Sequence, residues 1–325
     1  MSKLQYILGI ELGGGHATCG IVHRTGVVAS KTIPVASGAL LRPLLPSLEG
    51  ILRQLMLGAS IDMSQCCGVG LAFCGLVDTR RNRVWCIGEK YNDAMNLNLE
   101  LWCQETFGLP FQLENDARLA LLGESVGGAA KGANDVVMIL LGTGFGTAAI
   151  MEGELVKGRY SLAGARGGHF SISLEPTKCF CGNLGCVETE ASTWGLNEIS
   201  RRSEFMSLSR KAGQTYSDFR SLGKASEEGD PGAIALLEHC IRVWGAATIT
   251  LIHAYDADTV IMGGGAVKAS PRILPSLTQY IQRHAWTPWG IVDVRPALLG
   301  ENASLLGMTT LFETADAVPN PIGRT

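Results

Sequence analysis

Three groups of residues have the types and spacing to do chemistry. Cys179-Phe180-Cys181-Gly182-Asn183-Leu184-Gly185-Cys186 puts three thiols within eight residues, with Gly168-His169 ten residues ahead of the first thiol. That set fits tetrahedral zinc of the Cys3His type, and the glycines let a short loop turn its sulfurs inward. A redox pair is the rival reading, but the close pair is spaced C-x-C and no thioredoxin-type βαβ pattern surrounds it. With no spare ligand position visible, the metal is expected to be structural, pinning the His169 loop and Glu188 beside a substrate. The second group is a pair of glycine-rich turns, Gly13-Gly14-Gly15 and Gly142-Thr143-Gly144-Phe145-Gly146. A turn without Cβ atoms lets phosphate oxygens approach backbone amides, and two such turns facing one another would clamp a triphosphate from both sides of a cleft. Neither matches G-x-x-x-x-G-K-[ST], so this is not a P-loop. A further cluster, Gly263-Gly264-Gly265, follows the strand-like Thr259-Val260-Ile261-Met262, where a base or ribose could lie against backbone. A plain turn or helix cap reads equally well there.

The third group is Phe111-Gln112-Leu113-Glu114-Asn115-Asp116-Ala117-Arg118, which places an amide and a carboxylate where a strand stops and a helix begins. Asn and Asp are favoured N-caps, so capping alone would explain them. Strand C-termini in open α/β sheets are also where ligands sit. Phosphoryl transfer to an alcohol needs a carboxylate to accept the hydroxyl proton. Asp116 is the candidate base and Asn115 a hydrogen-bonding neighbour of the acceptor.

The elements that must position these groups are legible in outline. Residues 6–28 read strand, glycine turn, strand, polar turn, and residues 135–156 repeat that plan at an offset of 129, which predicts a duplicated α/β domain. Leucine spacing predicts a helix over 44–58, and 66–73 reads as a buried strand. Helices are expected over 97–107, 117–127, 231–254 and 302–314, with a short strand at 110–113 and a mobile polar tail at the end. The chain has 325 residues, 46% apolar and 18% charged, with mean hydropathy +0.18. That is material for sizeable cores rather than for disorder. A formal net charge of −3 lacks the basic footprint of a nucleic-acid binder. No signal peptide or run of 18 apolar residues is present, and the seven cysteines outside the cluster read as small buried hydrophobes. A cytoplasmic protein without membrane or nucleic-acid partners is expected.

The segments GIELGGG (9–15), FCGLVD (73–78), LENDA (113–117), LGTGFGTA (141–148), GH (168–169), CFCGNLGCVET (179–189) and DADTVIMGGGAV (256–267) together resemble the ROK family (repressor, open reading frame, kinase) of bacterial sugar kinases, in the actin-like ATPase superfamily. The cysteine segment is the most specific of them. The resemblance implies an α/β fold of two actin-like, RNase H-like lobes closing on a nucleotide and sugar cleft, with a small zinc-binding loop at 169–188. One lobe would comprise 1–114 plus about 303–325, the other 115–302. It implies transfer of the ATP γ-phosphoryl group to an aldohexose hydroxyl, usually the 6-OH, with Asp116 as base. Asn115, Glu188 and His169 would hold other hydroxyls, with Gly75 and Asn92 near the sugar. Gly13, Gly14, Gly15, Gly142, Thr143 and Gly144 would hold phosphates, and Gly264 and Gly265 would lie by the adenosine. Zinc would be bound by His169, Cys179, Cys181 and Cys186, and a homodimer is common in the family.

Two departures from the family pattern bear on activity. The first turn usually reads D-x-G-G-T; here Glu11 replaces the Asp that helps place Mg²⁺, and Gly15 stands for Thr. The usual E-x-G-H is here Arg166-Gly167-Gly168-His169, so a cation that only donates replaces an acceptor at a sugar-binding position, and either the sugar recognised there differs or the site is altered. The alternative reading is a catalytically impaired sugar sensor of the same fold. The first turn begins within about ten residues of Met1, leaving no room for the helix-turn-helix of the repressor branch.

Overall fold

The computed structural model describes residues 5–86, 90–174, 177–211 and 213–312. The expected tail after residue 314 and the Cys86 side chain lie outside the described residues. The chain divides into two compact units, 1–126 with 301–325, and 127–300.

In the first unit β1 (Tyr6–Leu12), β2 (His16–His23) and β3 (Gly26–Pro34) form an antiparallel meander. β4 (Cys66–Phe73) and β7 (Phe111–Asn115) add in parallel beside β1, giving the order β3-β2-β1-β4-β7. β5 (Leu76–Asp78) and β6 (Arg83–Cys86) make a separate small hairpin. Helix α1 (Leu45–Ala59) buries Leu45, Leu48, Ile51, Leu52 and Met56, a stripe at spacings of three and four, and stops at Ser60 in the left-handed region (φ 55°). Helix α2 (Leu99–Phe107) is capped by Asn98, whose side chain accepts the Leu101 N–H. Helix α3 (Asp116–Gly127) follows β7 directly. Leu8, Ile10 and Leu12 of β1, with Leu71, Phe73 and Leu113, pack with the α1 stripe into one core.

The second unit repeats the plan. β8 (Val136–Leu141), β9 (Phe145–Met151) and β10 (Glu154–Leu155) are antiparallel, and β11 (Thr259–Gly263) and β12 (Asp293–Pro296) run parallel beside β8, giving β10-β9-β8-β11-β12. Short helices α4 (Val187–Ala191), α5 (Thr193–Ile199) and α6 (Ser203–Met206) follow the cysteine loop, then α7 (Phe219–Glu227), α8 (Pro231–Tyr255) and α9 (Ile273–His284). Asp230 caps α8 by accepting the Ala233 N–H (2.9 Å), with Pro231 at the first helical position. By length and composition α8 could cross a membrane, but half of its apolar window is buried in its unit's core, with Leu236, Cys240, Trp244 and Ala247 inward.

The two sheets thus share one strand order. The 129-residue offset holds for the first strand and the turn, but the ladders pair Leu12 with Ala17 and Leu141 with Phe145. The second turn is one residue shorter, so β9 follows β2 at an offset of 128.

The chain returns to its first unit through α10 (Ala303–Gly307), continued as a 3-10 helix over Met308–Phe312; residues 313–314 of the expected helix lie outside the described residues. Two close approaches receive this segment. A Cβ on Gly9 or Gly20 would stand 2.8 and 2.7 Å from the Leu305 side chain, and one on Gly123 of α3 would strike the Ala303 carbonyl, as one on Gly307 would strike that of Leu119. Because α3 is bound in this way, the first unit runs on to Val126, past the boundary expected at 114.

Candidate functional site

In the first unit the turn from β1 to β2 is held on its carbonyl side. Gly13 N–H donates to His16 O (2.9 Å), Val35 N–H to Gly15 O (3.0 Å), and Lys90 Nζ to Gly14 O (3.1 Å) and Val35 O (3.0 Å). Gly14 and Gly15 are exposed, and no acceptor among the described residues takes either N–H. Glu11, one residue before the end of β1, is in electrostatic reach of Asp116, and the Ser304 hydroxyl of α10 lies 3.4 Å from both Glu11 Oε1 and the Asp116 carbonyl oxygen.

The β7–α3 junction places Asp116. Asn115 is the N-cap: its Oδ1 accepts the Arg118 N–H (3.2 Å), and its Nδ2 donates to Gly75 O (3.2 Å) and Asp116 Oδ1 (3.0 Å). Ala117 N–H also donates to Asp116 Oδ1 (2.8 Å). The bonds from Asn115 and Ala117 both fall on Oδ1, which leaves Oδ2 open to a ligand proton. A fully buried Glu114–Arg118 ion pair (3.1 Å) underlies the junction, and Glu114 Oε1 accepts the Asn115 N–H (2.9 Å). The capping and catalytic readings of Asn115-Asp116 are therefore compatible, because the cap is what fixes the carboxylate.

Burial pushes the Asp116 carboxyl up to about 6, against the hydrogen bonds from Ala117, its own backbone N–H and Asn115. Burial first, then the negative charge of Asp116, pushes Glu11 up to about 7. Glu11 Oε2 is buried without a hydrogen-bond partner among the described residues. A carboxyl whose pKa rises on folding gives up stability as pH climbs from its ordinary value through the folded one. Glu11→Gln is therefore expected to raise the melting temperature at pH 8 and to raise it much less at pH 5. Thermal melts at the two pH values check this, and equal shifts would refute it.

Gly75 joins this group through its carbonyl. Asn92 does not: it is exposed at the start of a 3-10 helix, with no recorded hydrogen bond to Asn115 or Asp116. Cys74, expected as plain core, is only partly buried in accessible surface, and burial first, then the negative charge of Asp116, pushes its thiol up to about 12. Cys67 is likewise only partly buried.

In the second unit the turn from β8 to β9 is again held by its carbonyls. Thr193 donates to Gly142 O through N–H (3.1 Å) and Oγ1 (2.8 Å), and Trp194 N–H donates to Thr143 O (3.3 Å). No acceptor among the described residues takes the Thr143 or Gly144 N–H. Glu188 reaches this turn from α4: its Oε1 accepts the Phe145 N–H (3.0 Å) and its Oε2 the Trp194 Nε1–H (3.1 Å). A Cβ on Gly144 would stand 2.5 Å from Glu188 Oε1, so only glycine lets that carboxylate so close. Gly264, in the left-handed region (φ 91°), packs its backbone on Leu141 at the root of the same turn, and Gly265 is open. Arg166 is exposed, and its carbonyl accepts the His169 N–H (3.0 Å).

His169, Cys179, Cys181 and Cys186 bring one donor atom each to within 4.8 Å of one another. Cys181 Sγ is 3.7 Å from Cys186 Sγ, and Cys179 Sγ is 3.6 Å from His169 Nδ1. A tetrahedral zinc with bonds of about 2.3 Å to sulfur and about 2.0 Å to nitrogen has edges of roughly 3.5–3.8 Å. The donor set fits that ion, and all four cysteine-cluster residues named from the sequence take part.

Sequence reasoning missed Lys90, Thr193, Trp194 and Ser304. Ser304 stands 188 residues from Asp116 and 293 from Glu11, so no local pattern pairs them.

The ROK family model matches residues 7–315. A glucokinase of Thermotoga maritima is 28% identical, covering 96% of this chain and 98% of its own length. A xylose repressor of Bacillus spizizenii is 27% identical over 75% of this chain; the match takes in 60% of the repressor's length. The crystal structure of a ROK family glucokinase from Streptomyces griseus, in complex with glucose and AMPPNP, superposes with a TM-score of 0.74 at 26% identity, covering 94% of this chain and 98% of that one.

Proposed function

The chain belongs to the ROK family, and on that premise we propose that it is an ATP-dependent hexose kinase. Asp116 Oδ2 takes the proton of a sugar hydroxyl, the 6-OH in the favoured case. The hydroxyl oxygen bonds to the γ-phosphorus as the bond to the β–γ bridging oxygen breaks, and ADP leaves with that electron pair. The free amides of Gly14, Gly15, Thr143 and Gly144 take phosphate oxygens, and Gly264 and Gly265 lie by the adenosine. Glu188, His169, Gly75 and Arg166 contact the sugar. Asn115, with both amide protons already engaged, contributes by orienting Asp116. The buried, unpartnered Glu11 Oε2 fits Mg²⁺, which neutralises phosphate charge when bound. His169, Cys179, Cys181 and Cys186 fit structural zinc. The reading extends, on family resemblance, to a cytoplasmic homodimer.

The observation that carries the proposal is the Asp116 carboxyl, raised to about 6 and braced at Oδ1 by Asn115 and Ala117, in one unit with a turn whose amides are free. The two kinases above support it by likeness. The test is coupled ADP release with Mg-ATP and a panel of hexoses, hexosamines and N-acetylhexosamines, together with calorimetry of each ligand. Turnover with at least one sugar is expected. The repressor likeness favours a second reading, a sugar sensor, and sugar binding without Mg-ATP binding would establish that in place of the kinase.

A further inference from the structure

In a trans peptide the C=O and N–H point in opposite directions, and the chain contains no cis peptide bond among its described residues. A donor that fixes a carbonyl therefore also fixes where the following N–H points. In the second unit, Thr193 and the Trp194 N–H hold the carbonyls of Gly142 and Thr143, which turns the Thr143 and Gly144 N–H groups to the opposite side. The first turn reaches the same result by other means. Val35 N–H holds the Gly15 carbonyl, and the Lys90 ammonium holds the Gly14 carbonyl at 3.1 Å while its bond to Val35 O (3.0 Å) ties it to the same strand end. The Gly14–Gly15 peptide has glycine on both sides, so nothing in its own side chains opposes a flip.

We propose that Lys90 is a positioning residue for phosphate binding: its ammonium locks the Gly14–Gly15 peptide so that the Gly15 N–H faces the ligand. The inference rests on the nucleotide-binding reading above and adds a residue to it. A cation on the carbonyl also polarises the peptide, which strengthens the N–H as a donor to an anion. The lysine gives up hydration to sit there, as its lowered pKa records, and it packs its charge 5.2 Å from the centre of the Tyr91 ring. It substitutes for the backbone and hydroxyl donors that Thr193 and Trp194 supply at the second turn.

The experiment compares wild type, Lys90→Met and Lys90→Arg by calorimetry with ATP, inorganic tripolyphosphate and adenosine, and adds a thermal melt of each. Lys90→Met is expected to weaken ATP and tripolyphosphate binding about tenfold, the scale of one charge-assisted hydrogen bond. Adenosine binding should be unchanged, and Lys90→Arg, which keeps charge and donors, should recover most of the loss. Equal affinities for all three ligands in wild type and Lys90→Met would overturn the inference alone. So would a uniform loss of adenosine and phosphate binding with a lowered melting temperature, which marks a merely structural pin. Wild type that binds neither ATP nor tripolyphosphate would overturn this inference and the nucleotide reading together.

Discussion

Asp116→Asn is expected to lower kcat by about 10²–10⁴-fold, the usual contribution of a positioned base, while calorimetry still finds sugar and Mg-ATP bound. The substitution keeps the volume and can keep the Ala117 N–H bond at Oδ1, so the cap on α3 survives. What disappears is the acceptor at Oδ2. The pH profile provides the second readout. A base near 6 is ionised in about nine of ten molecules at pH 7, and kcat/KM should fall tenfold per unit on the acid side below 6. Wild-type activity that stays flat from pH 7 to pH 5, or an Asn variant that turns over normally, would remove Asp116 from the chemistry.

The second large effect concerns the metal. Cys181 is exposed, whereas Cys179 and Cys186 are buried, so Cys181→Ser removes a zinc ligand with little loss of packing. The purified protein is expected to carry zinc in equimolar amount by elemental analysis, and the variant to carry almost none. Even a quarter of the ~10–16 kcal/mol that structural zinc supplies to finger peptides would lower Tm by roughly 5–15 °C. Chelation of wild type should reproduce that shift and added zinc reverse it. Activity should fall with the metal, because the loop between His169 and Cys186 leads directly into Glu188 and its bond to the Phe145 N–H. A metal-free protein with unchanged melting and activity would assign the four donors no structural task.

The parts of this fold that could be read from the sequence are those written locally. Strand, glycine turn and strand announce themselves twice within about twenty residues, and the shared sheet order follows. The Cys3His set is nearly as local, with three of four donors inside one short loop. The Asn115–Asp116 junction was legible as the point where a strand gives way to a helix, because Asn and Asp are favoured N-caps. The shorter second turn was not legible, since one residue's difference in a glycine-rich turn leaves no trace in a hydrophobic pattern. Nor were the partners of the site. Ser304 meets Glu11 only because α10 packs against glycines in β1 and β2, and Lys90 meets Gly14 across 76 residues of chain. Such contacts are set by packing between distant segments, and single residues carry no periodicity that would reveal them.

The return of residues 301–312 to the first unit also orders events during synthesis. The meander β1–β3 leaves the ribosome early, but its glycine-lined face lacks Leu305 and Met308 until the second unit has been made. At about 5–20 residues per second, the 174 intervening residues take roughly 9–35 seconds. The later-encoded unit is continuous, so the first half receives its last packing segment only after that unit has been made.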